Sequence, residues 1–184
     1  MELIENKNYD EERALYNIKD TEVKDCIFAG PQDGESVLKE TRKIVVDKCK
    51  FSLRYPMWHV QKYKLLNSEL DDKTRASLWY SNDGKIKETT ITGVKALREC
   101  NDIKIMNGYI YSNEFGWKCK NIEVVKSRIN SKYAFFDSKN IKLDNVSFSG
   151  KYSFQYIDNL EITNSFLNTK DAFWHSENVV VKDS

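Results

Sequence analysis

Apolar and polar residues recur along this chain with a period of 19 residues. Three consecutive segments, which begin at Ile122, Ile141 and Leu160, carry apolar residues at their first, third and eighth positions. The same step continues in both directions, and the repeats begin at Glu2, Thr21, Ile44, Tyr63, Gly84, Ile103, Ile122, Ile141, Leu160 and Val179. The second and fourth repeats are 23 and 21 residues long, because insertions follow the eighth position at residues 30–34 and 71–75.

The position within the repeat predicts which side chains point inward. The third position is Ile, Val or Leu in every repeat, and the eighth and fourteenth positions are mostly large and apolar. Inward residues at positions one and three, and again at six and eight, have the two-residue period of a β-strand. Two residues separate the other inward positions, which predicts tight corners between short strands. A unit of this size cannot bury its apolar side alone and must stack on its neighbours.

We therefore predict an all-β protein, a right-handed single-stranded parallel β-helix of about nine to ten 19-residue coils. At an inter-strand spacing of ~4.8 Å the coils make a rod of roughly 45 Å. The left-handed variant is disfavoured because no six-residue period is present, and right-handed crossovers are sterically preferred. A helical solenoid is disfavoured because helical periodicity is absent. Residues 1–184 are predicted to form a single domain that is cut within its tenth coil.

The corners are turned with little glycine or proline, since the chain has seven Gly and two Pro. The last position of five consecutive repeats is Asp102, Asn121, Asn140, Asn159 and Asn178. Asn and Asp tolerate the left-handed backbone region better than other non-glycine residues. Stacked Asn side chains can also hydrogen-bond to one another. We interpret this column as structural and not as a site.

The four cysteines also fall into register. Cys26 and Cys49 share the sixth position of adjacent coils, and Cys100 and Cys119 share the seventeenth. Adjacent coils place each pair within the Cα separation of a disulfide, but in-register side chains point the same way, which is poor geometry for a bridge. We expect four buried free thiols. Because the sequence has no Cys-x-x-Cys motif and both histidines lie in other columns, we expect no metal site and no cofactor.

Composition and charge narrow the range of partners. Hydrophobic residues make up 40% and charged residues 31%, which is typical of a globular protein. With 29 Lys and Arg against 28 Asp and Glu, the net charge is +1, so we expect no binding to nucleic acid or to a membrane. The apolar runs are far shorter than the ~20 residues of a membrane helix. The charged N-terminus is unlike a signal peptide, and four cysteines fit a reducing cytoplasm.

All four tryptophans occupy the fifteenth position. The column reads Tyr16, Lys39, Trp58, Trp79, Arg98, Trp117, Phe136, Gln155 and Trp174. Because burial of Lys39, Arg98 and Gln155 would be costly, we expect this column to face outward. The sixteenth position carries both histidines of the chain, His59 and His175, each next to a tryptophan.

We call the fifteenth and sixteenth positions together the aromatic stripe. An exposed apolar stripe usually marks a binding surface, and flat rings along a rod suit an extended ligand such as a glycan. The ligand-binding candidates are Trp58, His59, Trp79, Tyr80, Arg98, Trp117, Lys118, Phe136, Trp174 and His175. The two insertions flank the centre of the stripe, and their folding over it is left open. The sequence therefore favours a non-catalytic binding or scaffold protein.

Two alternatives remain. Glu99 and Asp137 lie two coils apart in the sixteenth position, roughly 9–10 Å from the inter-strand spacing. That distance is near the upper end of the carboxylate separation in inverting glycosidases, so the pair could be the acid and base of a carbohydrate-active hydrolase or lyase. However, Lys118 lies between them, as in a cross-strand charge ladder. A stacked aromatic column also stabilises a parallel sheet without any ligand, which makes a purely structural assembly piece the second alternative.

Several motifs are more specific than the repeat. They are Glu-Arg-Ala-Leu-Tyr at 12–16, Gly-Pro-Gln-Asp-Gly-Glu-Ser at 30–36, Arg-Tyr-Pro-Met-Trp-His at 54–59, Leu-Trp-Tyr-Ser at 78–81, Gly-Val-Lys-Ala-Leu-Arg-Glu-Cys at 93–100 and Glu-Phe-Gly-Trp-Lys-Cys at 114–119. In these motifs the chain resembles the DUF3737 family of uncharacterised bacterial proteins, over essentially its whole length. The resemblance implies a pectin-lyase-like β-helix and no particular activity. Neither the calcium-binding Asp cluster nor the paired catalytic Asp residues of the pectin-lyase-like class can be placed in this sequence.

The tenth coil begins at Val179, and the sequence stops at the sixth position of that coil, Ser184. A bare strand edge pairs readily with other chains, and terminal coils normally carry a cap. We therefore expect either a chain that continues past Ser184, or a second copy or another partner that covers this edge.

Overall fold

The computed structural model describes residues 1–31 and 34–184 of the chain. Gln32 and Asp33, which belong to the first predicted insertion, lie outside the described residues. In chain order the strands are β1 (Glu2–Glu5), β2 (Asn8–Tyr9), β3 (Lys19–Lys24), β4 (Ile27–Phe28), β5 (Arg42–Asp47), β6 (Lys50–Phe51), β7 (Gln61–Leu66), β8 (Glu69–Leu70), β9 (Asn82–Lys87), β10 (Thr90–Ile91), β11 (Asn101–Met106), β12 (Tyr109–Tyr111), β13 (Lys120–Val125), β14 (Arg128–Ser131), β15 (Lys139–Asp144), β16 (Ser147–Lys151), β17 (Asp158–Thr163), β18 (Phe166–Lys170) and β19 (Glu177–Lys182). One short 3₁₀ turn, Asp72–Thr74, lies in the second insertion.

The strands stack in two parallel sheets. The odd-numbered strands form one sheet and the even-numbered strands the other, each in sequential order. Register partners lie 19 residues apart, as in Ile103 with Ile122 and Ile122 with Ile141, and 23 apart where Thr21 pairs with Ile44 across the first insertion. The predicted single-stranded parallel β-helix of 19-residue coils is therefore confirmed, and its hand stays a prediction. We number the coils 1 to 10 by the repeat starts given above.

The interior is filled by columns of similar side chains. The third-position residues are buried from coil 2 to coil 9, and the eighth-position residues from coil 2 to coil 8. Each side chain packs on its counterpart in the next coil. The rings of Phe28 and Phe51, for example, stack with their centroids 4.8 Å apart. In the described part of the chain, no helix is long and apolar enough to cross a membrane.

Four positions of the coil adopt the left-handed backbone conformation. The fifth, fourteenth, sixteenth and last positions have positive φ in every coil that contains them. Val, Ile and Thr occupy none of these positions, because their branched side chains fit this region poorly. Gly116 is the one glycine among them, and the ring of Phe135 in the next coil fills the space that a Cβ atom would need. The corners are thus built from ordinary residues in a conformation that usually requires glycine.

The last position shows how side chains support such a corner. The side-chain amides of Asn121, Asn140 and Asn159 each donate a hydrogen bond to the side-chain oxygen of the last residue in the preceding coil, at 2.9 Å. The first acceptor in this row is the carboxylate of Asp102. Each amide therefore fixes the neighbouring corner as well as its own, and no member of the row has to contact a ligand to be satisfied.

Small polar side chains at the sixth and seventeenth positions satisfy the backbone inside the corners. Ser138 shows the pattern: its hydroxyl donates to the Gly116 carbonyl at 2.8 Å and accepts from the Cys119 amide at 3.1 Å. Ser127 likewise accepts from the Gly108 amide at 2.9 Å. Buried backbone groups without partners are costly, so these columns select Ser, Thr and Cys.

The cysteines belong to these same two columns. All four are buried and free, as predicted. The Cys49 thiol contacts the Val23 and Asp47 carbonyls at 3.5 and 3.4 Å, and the Cys100 thiol contacts the Leu78 carbonyl at 2.7 Å. Burial raises the pKa of Cys49 from 9.0 to about 12 and raises the pKa of Cys100 as well. The thiols of Cys49 and Cys100 therefore stay protonated near neutral pH and serve as small buried donors.

We expect Asn140→Val to lower the free energy of unfolding by about 2–3 kcal/mol. A branched side chain raises the energy of the backbone at φ 56°, and both amide hydrogen bonds of Asn140 are lost. Asn140→Gly keeps the left-handed corner and loses only the hydrogen bonds, so its cost should be about 1 kcal/mol. Equilibrium urea unfolding of the three proteins measures both values. Equal stability of the two variants would contradict the requirement for a left-handed corner.

The raised pKa of Cys49 predicts that stability falls at high pH. The folded thiol stays neutral up to about 12, whereas the thiol of the unfolded chain ionises near 9.0. Between about pH 9 and pH 10 this difference lowers the free energy of unfolding by about 1 kcal/mol. Cys49→Ser retains a buried donor that does not titrate, so its loss over the same interval should be smaller by that amount. Urea unfolding at both pH values tests this, and equal losses in the two proteins would refute it.

Candidate functional site

The fifteenth-position side chains form a continuous stack along one corner of the rod. The indole rings of Trp58 and Trp79 stack with centroids 4.9 Å apart and an interplanar angle of 5°. The guanidinium carbon of Arg98 lies 5.1 Å from the Trp79 ring centre and 5.4 Å from that of Trp117. Trp117 then contacts Phe136, with centroids 5.1 Å apart. Five of the predicted ligand-binding residues are therefore brought together, as one column of packed planes.

A row of hydrogen bonds holds this column against the rod. The indole N–H groups of Trp58, Trp79 and Trp117 each donate to the twelfth-position carbonyl of the next coil, at distances of 2.6–2.7 Å. The Gln155 side-chain amide makes the equivalent bond to the Asp171 carbonyl, at 3.3 Å. Trp and Gln share a long side chain that ends in an N–H donor. The fifteenth position therefore has a structural role that explains why Trp and Gln both occur there.

The stacking determines which parts of the rings a ligand can reach. Trp79 has Trp58 on one face and Arg98 on the other, and Trp117 has Arg98 and Phe136. All of these side chains are half-buried. Both faces of Trp79 and of Trp117 are therefore covered by neighbouring side chains of the column.

The sixteenth-position side chains project from the same corner. His59 stacks on Tyr80 with centroids 4.8 Å apart, and Tyr156 stacks on His175 at 4.9 Å. Tyr80 also places its ring edge-on against Trp58 and Trp79. Apart from Tyr80, which is half-buried, the sixteenth-position residues are exposed. The two histidines lie six coils apart and serve separate pairs.

The proposed acid and base do not share a cleft. Glu99 and Asp137 are exposed at left-handed corners, with the exposed Lys118 in the coil between them. The backbone amide of Glu99 donates to the Trp117 carbonyl, so this corner is fixed by the stacking of coils. Neither carboxylate lines the two clefts described below.

The two insertions form a cleft of their own. The cleft has a volume of about 460 Å³ and is lined by Gly30, Pro31, Gly34, Ser52, Leu53, Arg54, Lys73 and Arg75. Arg54 pairs with Glu35 at 3.3 Å, and the Ser52 hydroxyl donates to the Asp71 carboxylate. The described parts of the insertions thus pack beside the ninth to eleventh positions of coil 3. None of the residues that line this cleft belongs to the aromatic stripe.

A larger groove lies at a different corner, at residues that the motifs of the sequence do not mark. It has a volume of about 840 Å³ and runs along the fifth to seventh positions of coils 6 to 9, as far as Asp183 and Ser184. The available signal was a change of composition, because carboxylates disappear from the fifth and seventh positions after Glu88 until Asp183. Among the described residues, no cluster of three His, Cys, Asp or Glu side chains is placed to hold a metal ion.

The two stacked sheets, the 19-residue coils and the self-stacked corner columns define a parallel β-solenoid repeat protein. More specifically, the chain belongs to the DUF3737 family of proteins of unknown function, whose model matches residues 2–184. A search of curated proteins finds no match.

Two solved structures are similar to this chain, and both are trypsin-treated variants of QnrB1, a plasmid-mediated fluoroquinolone resistance protein. The first is 15% identical over 98% of this chain and 89% of that chain, with a TM-score of 0.43. The second is 13% identical over 98% and 91%, with a TM-score of 0.38. The pectin-lyase-like class stays a prediction.

The hydrogen bonds of the stripe lead to a test of its structural role. Trp117→Phe keeps an aromatic plane but leaves the Tyr133 carbonyl without its donor, which should lower the free energy of unfolding by about 1 kcal/mol. Phe136 shows that a phenyl ring fits this column. Phe136→Leu is the matched control, because it removes a ring from the same column and no side-chain donor. Thermal and urea unfolding measure the effect. A fully stable Trp117→Phe protein would show that the indole N–H contributes nothing.

Proposed function

We propose that this protein is a non-catalytic binding or scaffold protein, and that the sixteenth-position side chains of the aromatic stripe contact an extended ligand such as a glycan. The observation that carries the proposal is the stacked column from Trp58 to Phe136, which holds its neighbours on a rigid edge. Groups that are fixed before binding lose little freedom when a ligand arrives. The column therefore acts as a support, and the residues beside it supply the contacts.

The order of charges along this edge favours a neutral, hydroxyl-rich ligand. From coil 3 to coil 7 the sixteenth position reads His59, Tyr80, Glu99, Lys118 and Asp137, at ~4.8 Å per coil. Donors and acceptors alternate, and positive and negative charges are adjacent. A polyanion such as a nucleic acid would meet repulsion at two of these five coils, those of Glu99 and Asp137. A glycan hydroxyl can both donate and accept, so it can pair with each of these groups.

The alternative function, a carbohydrate-active hydrolase or lyase with Glu99 and Asp137 as acid and base, has weaker support. A general acid normally needs an environment that favours its protonated form, and burial in a cleft is the usual source. Both carboxylates are exposed here.

The buried, unpaired thiols support a reducing compartment, and we propose the cytoplasm.

We expect Tyr80→Asn and Lys118→Asn to weaken glycan binding about tenfold each, which corresponds to the loss of one good contact. Asn retains the left-handed backbone of both corners, so Lys118→Asn should change the thermal unfolding temperature little. Tyr80→Asn also loses the three ring contacts of Tyr80, so it should lower that temperature modestly while the protein stays folded. Glu88→Asn is the matched control, since it makes the same kind of change at a left-handed corner on another edge. The measurement is a glycan array, followed by calorimetry on the strongest binder.

The outcomes separate the functions. Binding that is lost in the stripe variants and kept in Glu88→Asn supports the proposal. Binding that survives in both stripe variants places the ligand elsewhere, and a wild-type protein that binds no glycan refutes the proposal. If the wild type turns over a glycan, Glu99→Gln and Asp137→Asn should abolish turnover and leave binding intact, and the enzyme alternative would then replace the proposal.

A further inference from the structure

The corner groove, defined by the fifth to seventh positions of coils 6 to 9, has a simple origin. The sixth-position side chains point inward, so the backbone is indented there between two outward walls. The fifth-position Asn107, Lys126 and Asn145 form one wall, and the seventh-position Tyr109, Arg128 and Ser147 form the other. The sixth position lies about half a coil from the aromatic stripe, so the groove runs along the opposite side of the rod.

Two cations and no carboxylate line the groove in coils 6 to 9. Lys126 and Arg128 belong to the same coil and lie on opposite walls. Within the described residues, neither side chain makes a hydrogen bond or an ion pair. Asp144, which does not line the groove, interacts electrostatically with Lys126, and its carboxylate accepts hydrogen bonds from Thr163 and Asn164, both at 2.9 Å. It offsets part of the charge of Lys126. Asp183 lines only the far end of the groove, three coils away.

The repeat supplies an internal comparison for these two cations. In coil 3 the same two positions hold Lys48 and Lys50. There, Lys50 pairs with Glu69 at 3.8 Å, and Asp25 and Glu88 occupy the fifth position of nearby coils. The first half of the rod therefore balances its charges at this corner. The second half presents a pair of cations among Asn, Ser and aromatic side chains.

Aromatic rings and side-chain amides next to the cations are also available for contacts with a ligand. Tyr109 and Tyr111 lie on the outward face of β12 and are 44% and 52% exposed. Within the described part of the chain, neither ring stacks on another, in contrast to the rings of the stripe. The side-chain amides of Asn107 and Asn145 make no hydrogen bond among the same residues. One exposed ring face, two amides and two cations are thus available along three coils.

We propose that the corner groove binds an anionic glycan, with a carboxylate or sulfate group held between Lys126 and Arg128 and a sugar ring packed on Tyr109. The hydroxyl groups of adjacent sugars contact Asn107 and Asn145. Each coil advances the groove by ~4.8 Å, which is close to the length of one sugar unit in an extended chain. The proposal is independent of the function proposed for the stripe.

The spacing of charge favours a glycan over single-stranded nucleic acid. A nucleic acid carries a phosphate on every nucleotide and needs cations along its whole path. The groove offers them in one coil only, with uncharged coils on both sides. A polysaccharide with an acidic group on some of its sugars matches this distribution.

The experiment measures binding of the full chain to four probes. Hyaluronan supplies carboxylates, dextran sulfate supplies sulfates, dextran is the neutral control, and a single-stranded oligothymidine tests the nucleic-acid alternative. We expect one of the two acidic polysaccharides to bind most tightly. The double variant Lys126→Asn, Arg128→Ser should lower that affinity at least about tenfold, since charge-assisted hydrogen bonds are lost. Tyr109→Thr should lower it as well.

Matched variants separate the groove from general electrostatics and from misfolding. Lys48→Asn with Lys50→Ser removes the same two charges from coil 3, and its affinity should stay within about twofold of the wild type. Asn is suited to the left-handed fifth position, and Ser147 shows that serine fits the seventh, so unfolding temperatures should not change. Tyr80→Asn in the stripe should leave binding to the acidic probe intact.

Four results would overturn the proposal. They are no binding of either acidic polysaccharide, equal binding of dextran, tighter binding of the oligothymidine, and equal losses in the coil 3 and coil 7 variants. The last result would assign the binding to net charge alone.

Discussion

The in-register stacking of coils is the constraint on which the rest of this structure depends. Each residue stacks on the equivalent residue of the preceding coil, so every position in the repeat forms a column. The side chains in a column must pack or hydrogen-bond favourably with one another. Apolar columns at the third and eighth positions satisfy this by packing like on like. Polar columns satisfy it by hydrogen bonds that run from coil to coil, as the amides of Asn121, Asn140 and Asn159 do. Charge alone cannot satisfy it, because like charges in adjacent coils repel.

The same constraint shapes both candidate surfaces, with opposite results. In the aromatic stripe, stacking uses the ring faces and the indole N–H groups, so the column stabilises the rod and presents mainly edges. In the corner groove the side chains of adjacent coils do not pair with one another, and Lys126, Arg128 and Tyr109 keep their contact groups available. In the stripe, the side-chain groups are thus mostly engaged in contacts between coils. In the groove, they remain available to a partner.

The sequence was sufficient for the coil length, the register and the inward columns, because those follow from apolar periodicity alone. It also predicted the left-handed corner at Asn140 and the burial of free thiols such as Cys49. It did not predict the left-handed fourteenth position, where Leu97 and Phe135 replace the expected Asn or Gly, since tertiary packing overrides the local preference there. It also missed the bond from Trp117 to the Tyr133 carbonyl, because a donor that reaches into the next coil leaves no periodic signature. The corner groove was not predicted because its only sign in the sequence is the absence of carboxylates from the fifth and seventh positions. Such an absence is harder to recognise than a column of tryptophans.

The left-handed corners have a consequence for how the rod assembles. A full coil contains at least four of them, and in each full coil at least one is built from a residue other than Gly, Asn or Asp, for which this conformation costs roughly 1–2 kcal/mol. A single coil therefore begins with an unfavourable backbone energy, and only contacts with coils on both sides offset it. Folding of such a chain requires a nucleus of several adjacent coils. Once the nucleus exists, each added coil lowers the free energy of the chain. Coils in the middle are protected from both sides, so fraying starts at the ends and the rod shortens coil by coil.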